Sequence, residues 1–565
     1  MMRISGVIFL FVLFVCSSLQ AGQMSADPAA DFVTGSFATP TPSITGAAFD
    51  GKHLWVADWK DDLIYKIDPD TGKMADSMSS PGPRPTGLAW DGEFLWVADL
   101  HFNKAYRMDT KKKKVVWEIP LPGSYPLGMA WDGKHLWYSD RNEKKIFKIS
   151  ATDGAIFHDI PAPSQVITGI TWLDGYLWLS SRLDDEIFMM DPETGWVVNV
   201  IKSPGPHPWG LASDGNRLMN ADYNDGKVYF LKTEPPADPW IRSDGKDYSL
   251  EFTLDFYNYG KDTVTGGEML IALPEARNNQ DVLKKAVFSP DPDGIVAASH
   301  GQKYARWTLK NIAAPSRKRV TASWEVSLYA EDWFIFPEKV KGPGSIPANI
   351  KKTYLANGEK YLLDDPFVKK TVKEVVGDEK NLYRKARKLY EWVIDRLSYK
   401  MVGGWETGPK VLQRGTGSCS EYTFSFISLC RAAGIPARFV GSIVVRRDDS
   451  STDDVFHRWA EIYLPPYGWV PVDANHGDKE DARGRALGFG HLTNNVLITT
   501  VEGALEDNKL GWGYNYDEHH TYKGSANTLL EGIGYWRPLV KRTGKSCFGK
   551  LKPGTEEVCE CGKEE

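Results

Sequence analysis

Five segments of the chain repeat at a fixed spacing: TGAAFDGKHLWVAD from Thr45, TGLAWDGEFLWVAD from Thr86, LGMAWDGKHLWYSD from Leu127, TGITWLDGYLWLSS from Thr168 and WGLASDGNRLMNAD from Trp209. The period is 41 residues. Such a period restricts the fold more than composition can, because each unit must bury its apolar side against the next copy of itself. Within one unit, the β-rich runs GLAW, EFLWVAD, KAYRMD and KVVWEIP are separated by turn pairs such as Asp91-Gly92. Four strands per unit at this period predict a β-propeller blade. The Leu-Trp or Leu-Met strand recurs at one phase in every unit, so it reads as blade core rather than as a ligand box.

The phase also predicts how the ring closes. Residues 74–85 (MADSMSSPGPRP) supply the outer strand of the first unit, and 41 residues upstream VTGSFATPTPSI is a matching strand with no unit of its own. The last unit ends near KVYFLKTE without a fourth strand. The N-terminal strand is therefore expected to complete the last blade of a five-bladed all-β propeller over 30–235. At repeat level the segments resemble NHL-type propellers, a match that says little about function; propeller faces and loops in general bind peptides or proteins, so a protein partner on the propeller face is expected. Asp68-Pro-Asp-Thr-Gly72 and Asp191-Pro-Glu-Thr-Gly195 read as turns rather than cation loops, since they lack further oxygen ligands. His53, His101 and His135 are too scattered to argue for a metal, and no cofactor is expected.

After EPPADPW the pattern changes to long alternating strands, with Leu250, Phe252, Leu254 and Phe256 in one and Val320, Ala322, Trp324, Val326 and Leu328 in another. This predicts a separate β-sandwich over 240–345. Beyond the linker KGPGSIPANI, helical spacing begins near residue 366, and Leu382, Ala386, Leu389, Val393 and Leu397 mark an amphipathic helix. A mixed α and β domain is expected over 350–525, followed by a tail over 526–565.

At the other end, Arg3, an apolar run from Val7 to Val15 and small residues up to Ala21 have the layout of a secretory signal over 1–21. The run is too short to span a bilayer. The expectation is a secreted or periplasmic protein with no membrane insertion after cleavage near Ala21. Lipidation of Cys16 would want a small residue where Val15 stands. The net charge of -6, from 68 basic and 74 acidic residues that are interspersed, gives no field for nucleic acid. Neutral small molecules, peptides or proteins are the expected partners.

Removing the signal leaves Cys419, Cys430, Cys547, Cys559 and Cys561. Cys430 lies in an apolar run and reads as a small buried hydrophobe. In the tail, Cys547 is expected to close a loop with Cys559 or Cys561, because a metal site would need a fourth ligand and no histidine is near. Cys419 stands in GTGSCSEYTFSFISLCRAAGIPARF, where Gly415 and Gly417 permit a tight turn and a helix can run from Cys419 to Arg431. A sulfur in the first helical turn favours thiolate over thiol. That placement alone suits a structural cysteine equally well.

Downstream, FHRWAEIYLPPYGWVPVDAN reads as two strands around a loop. If the loop is five residues, Leu464 to Gly468, then Tyr463 faces Trp469, Asp473 faces Trp459, and His457 shares a sheet face with Asp473. A four-residue loop would put the two on opposite faces. A histidine oriented by a carboxylate and facing a thiolate is the arrangement of covalent catalysis.

GTGSCSEYTFSFISLCRAAGIPARFVG followed by HRWAEIYLPPYGWVPVDA resembles the core motif of the transglutaminase-like superfamily over roughly 380–480. The resemblance implies a papain-like α+β core with Cys419 as nucleophile, His457 as general base and Asp473 as its orienter. It also implies attack on peptide or glutamine amides through a thioester, released by water (protease or deamidase) or by an amine (acyltransferase). The preceding sandwich, with MLIALPEARNNQ, is similar to domains found before this core. Where the family helix often continues with alanine, this chain has Glu421-Tyr422-Thr423, and a carboxylate facing the site would disfavour the thiolate. The competing reading is a non-catalytic binding or scaffold protein that uses the propeller and sandwich.

Overall fold

The computed structural model describes residues 32–233, 238–298, 302–401, 405–447, 450–502, 509–513, 515–522 and 527–539. The segment expected to be a signal, with Cys16, and the tail cysteines Cys547, Cys559 and Cys561 lie outside the described residues.

Five four-stranded sheets form the N-terminal half. In each, the innermost strand is the Thr-Gly or Pro-Xaa-Gly segment of the repeat, and the second is the Leu-Trp strand, such as Leu54–Asp58 or Leu95–Asp99, or the Leu-Met strand Arg217–Asp222 in the last blade. Neighbouring inner strands touch around a complete circuit, and Pro208–Ser213 of the last sheet returns to Ile44–Phe49 of the first. The repeated glycine makes this approach possible: a Cβ on Gly87 would lie 2.3 Å from the Leu127 carbonyl oxygen of the next blade. Thr45 and Thr168 donate hydrogen bonds of 2.8 Å to the carbonyls of Pro85 and Pro208, also one blade on. Val33–Ala38 pairs antiparallel with Lys227–Lys232 and is the outer strand of the last blade. The Trp55, Trp96 and Trp137 rings are buried, and their indole N–H groups donate to Asp50, Asp91 and Asp132 of the preceding turn. Asp68 and Asp191 each accept two backbone N–H groups of their own loop through one carboxylate oxygen, which makes these segments Asx-type turns.

Two further sheets face each other across a core that includes Leu250, Phe252, Met269, Trp307 and Trp324. One is built on the long strands Trp240–Asn258 and Ser316–Trp333, the other on Val264–Leu273 and Lys303–Ile312. Here the expected boundaries need correction. Thr528–Pro538, expected in the tail, pairs along the whole of 248–258, and Tyr516–Tyr522, expected in the α and β domain, is an edge strand of the second sheet. The sandwich therefore begins before the α and β domain in sequence and is completed after it. The alternation in Thr528–Pro538 is concealed because two inward positions are Gly532 and Gly534. The Tyr516 and Phe252 rings and Ile443 leave no room for a Cβ there. A short helix, Ala348–Tyr354, also precedes the expected start of helical structure.

In the remaining domain Cys419–Ala432 packs on a four-stranded sheet ordered Gly468–Val472, His457–Leu464, Ala437–Val444, Val496–Val501, and Pro366–Val376 and Leu382–Arg396 pack against that helix. The fourth blade docks on it. Arg483 makes a two-pronged ion pair with Glu186, Asn199 exchanges two hydrogen bonds with the Ile335 backbone, and the Tyr176 hydroxyl donates to Glu338. The fold is multidomain, a five-bladed all-β propeller joined to a β-sandwich and an α+β core.

Candidate active site

Cys419 opens the helix Cys419–Ala432, as the Gly415–Ser418 turn requires: Gly415 has φ of 80° and ends the preceding helix Gly408–Arg414. Thr416–Gly417 pairs in parallel with Ser398–Tyr399, which pins the entry to the helix and brings Tyr399 beside the sulfur. Glu421 is fully buried and turned to other uses. Its carboxylate accepts from the Ser418 N–H at 3.0 Å as part of a capping box and pairs with Arg414 at 3.0 Å. The side chain that could have opposed the thiolate holds the helix start in place instead.

The hairpin has the register that joins the other two groups. Leu464 pairs with Gly468, Tyr463 with Trp469 and Ala460 with Val472, so the next step of the ladder sets Asp473 beside Trp459. His457, two residues from Trp459, then lies on the same face as Asp473. Its Nε2 is 2.5 Å from Asp473 Oδ2, while Asp473 Oδ1 accepts the N–H groups of Asn475 at 3.1 Å and His476 at 2.9 Å. With Nε2 engaged, Nδ1 is the nitrogen left to face the thiol. The Trp459 ring stacks on the imidazole at 5.9 Å between centroids.

Burial alone would raise the Cys419 thiol, but the hydrogen bond and charge of His457 outweigh it, and the thiol is held at about 7 rather than 9.0. Burial opposes a charge on His457 too, and the Asp473 carboxylate with the Cys419 sulfur pushes the imidazole up to about 10. Asp473 is held below its ordinary value: burial opposes its charge and His457 more than offsets this. The three groups favour a thiolate–imidazolium pair across neutral pH. Cys430, fully buried without a charged partner, is pushed well up.

Alkylation checks this directly. The thiolate fraction of Cys419 grows as pH rises through its own value, and the imidazolium persists until pH passes that of His457. Iodoacetamide labelling of Cys419, followed by peptide mass spectrometry, should therefore rise around pH 7 and leave Cys430 unmodified. A profile centred near 9 would mean that His457 does not charge the pair.

Cys419 is only 7% exposed, yet two clefts meet at it. One, of about 490 Å³, is lined by His457, Asp473, His476, Lys479 and His491; the other, of about 420 Å³, by Met401, Trp405, Asp454, Arg458 and Asp517. Both include Tyr399, Cys419, Val455 and Phe456. Tyr399 and His491 were not expected from the sequence. Tyr399 lies outside any motif, and His491 is paired through Nδ1 with Asp332 of the sandwich, 159 residues away. No local spacing signals either contact.

Residues 369–474 match the model of the transglutaminase-like superfamily. A protein of Haemophilus influenzae, described as uncharacterized, is 29% identical over 137 residues, which cover 20% of this chain and 37% of that protein. The chain thus spans little more than a third of that relative's length. Among solved structures, a Cytophaga hutchinsonii protein provisionally named a cysteine protease is similar at a TM-score of 0.38 and 14% identity, over 52% of this chain and 92% of that one. Glutaminyl cyclase of Myxococcus xanthus follows at 0.32 and 14%, over 35% of this chain and 94% of that one. Virginiamycin B lyase of Staphylococcus aureus is similar at 0.26 and 20%, over 35% and 68%. The chain carries a transglutaminase-like domain, a superfamily of cysteine enzymes, and what it acts on is a separate question.

Proposed function

We propose that this protein is an exported cysteine enzyme that transfers the acyl group of a peptide or glutamine amide through a thioester on Cys419. The observation that carries the reading is the His457 imidazole, held by Asp473 through one nitrogen and acting on the Cys419 thiol at the junction of two clefts. The thiolate attacks the carbonyl carbon, and the developing oxyanion takes the Cys419 N–H, which as a first-turn group has no carbonyl four residues back. Collapse breaks the C–N bond as the His457 imidazolium gives its proton to the leaving amine. Water or a primary amine then attacks the thioester, passes its proton to His457 and expels the thiolate.

Two clefts suit this sequence, because one can hold the acylated chain while the other admits the second nucleophile. The residues dictate acyl-enzyme chemistry for either acceptor. The docked propeller serves as a binding module for a protein substrate or partner, in keeping with the exposed faces its ring presents. Incubating the protein with casein or a glutamine-donor peptide, with and without a primary amine, tests the reading by product mass. Loss of ammonia with gain of water gives deamidation, gain of the amine gives transfer, and new termini give proteolysis. No product and no trapped thioester on Cys419 would overturn it.

A further inference from the structure

A cavity of about 640 Å³ lies away from Cys419, where the sandwich meets the catalytic hairpin, and shares no lining residue with either cleft at the sulfur. Its size and its place at a domain boundary are those of small-molecule sites, which run to roughly 300–1,000 Å³. Trp240, Trp333 and Trp469 line it together with Tyr467. Three indoles around one space supply apolar lining for a ring, with the Arg438 guanidinium already over one face of Trp469.

Among the described residues, the charged side chains lining the cavity have ion-pair or hydrogen-bond partners except for Arg277. Arg242 pairs with Asp281 at 3.2 Å. Arg438 pairs with Glu461 at 2.6 Å and lies over the Trp469 ring. Glu331 accepts from the Trp333 indole at 2.6 Å and from the Asn278 amide at 3.3 Å. The Arg277 guanidinium has no acceptor among the described residues, although the Arg277 backbone is held by a reciprocal pair of hydrogen bonds with Gln280. Burial works against its charge, and the carboxylates of Glu461, Glu275 and Glu331 support it without bonding to it. The neighbouring residues of the same motif have structural work: Asn279 and Gln280 donate to the carbonyls of Val496 and Ile498 and so tie the sandwich to the catalytic sheet. Arg277 takes no part in that tie. A half-buried guanidinium that faces an indole-lined space with no hydrogen-bonded partner of its own can take a further anion.

We propose that this cavity binds a small carboxylate carrying a ring, with Arg277 clamping the carboxylate and the tryptophans packing on the ring. A guanidinium meets a carboxylate through two parallel N–H groups, and ring faces pack on indoles whether the ring is aromatic or a sugar. The site is separate from the acyl-transfer centre. Glu461 and His457 share one face of the same strand four residues apart, or ~13 Å at ~3.3 Å per residue.

Titration calorimetry on the mature full chain carrying Cys419→Ser tests this without turnover, so its outcome is independent of the catalytic reading. Four probes divide the requirement: indole-3-acetate (charge and aromatic ring), glucuronate (charge and sugar ring), indole-3-acetamide (ring alone) and acetate (charge alone). At least one ring carboxylate should bind saturably, with the amide and acetate weaker by about tenfold or more, and the better of the two identifies the kind of ring. Arg277→Gln should weaken that binding by at least about tenfold, Arg277→Lys by less, and Arg277→Gln should melt at or above the parent temperature because it removes an unpaired charge. Three results would overturn the proposal: no binding by either ring carboxylate, equal binding of the amide, or unchanged affinity in Arg277→Gln. A melting temperature lowered by several degrees would do so as well, since it would make Arg277 a structural residue.

Discussion

Cys419→Ser is expected to abolish acyl-enzyme formation, lowering turnover on a glutamine-donor peptide by about 10³-fold or more, with the melting temperature unchanged. A hydroxyl has nearly the shape of a thiol, but its acidity is so much weaker that His457 cannot keep it ionised. His457→Ala should have a loss of the same order, because the thiolate loses the charge that offsets its burial and the leaving amine loses its proton donor. Asp473→Asn separates two opposed effects. Removing the carboxylate takes away a direct repulsion of the thiolate, yet it also takes away the main support of the imidazolium, and His457 acts on Cys419 more strongly than Asp473 does. The alkylation profile of that variant should therefore move up in pH, with activity reduced but measurable. Full activity in Cys419→Ser, or an adduct trapped on Cys430, would remove Cys419 from the mechanism.

The second large effect is expected from the C-terminal strand. Ending the chain at residue 526 removes Thr528–Pro538, which lies between Trp240–Asn258 and the edge strand Thr452–Asp453 and makes eleven residue pairs with the former. It also removes Trp536, which is 2% exposed in the sandwich core. Loss of a strand from inside a sheet leaves a long unpaired row of backbone groups and an open core, so the shortened chain should aggregate or lose its cooperative melt. Trp536→Ala in the full chain isolates the core contribution, and about 3–5 kcal/mol is expected from denaturant titration. A chain ending at 526 that melts like the parent would show the strand to be peripheral.

These two predictions differ in how far the sequence alone supports them. The propeller was legible because each blade meets the next copy of the same 41 residues, so its contacts carry a period. The nucleophile and its partners were legible for a different reason. A helix start and a hairpin register are set within about 20 residues, and the spacing from Leu464 to Gly468 is enough to put His457 and Asp473 on one face.

What only the tertiary structure decided has no period and no local spacing. The pairing of Thr528–Pro538 with Trp240–Asn258 spans nearly 300 residues, and its inward positions include two glycines because neighbouring side chains fill the space, so the pattern of a buried strand is missing. The same holds for the Asp332–His491 pair, the docking of the fourth blade through Glu186 and Arg483, and the cavity around Arg277. The sequence by itself determined the units that are built from neighbours: the blades, the first turn of the catalytic helix and the catalytic hairpin. Which unit packs on which depended on shape and charge complementarity between surfaces far apart in the chain, and such complementarity exists only once both surfaces are folded.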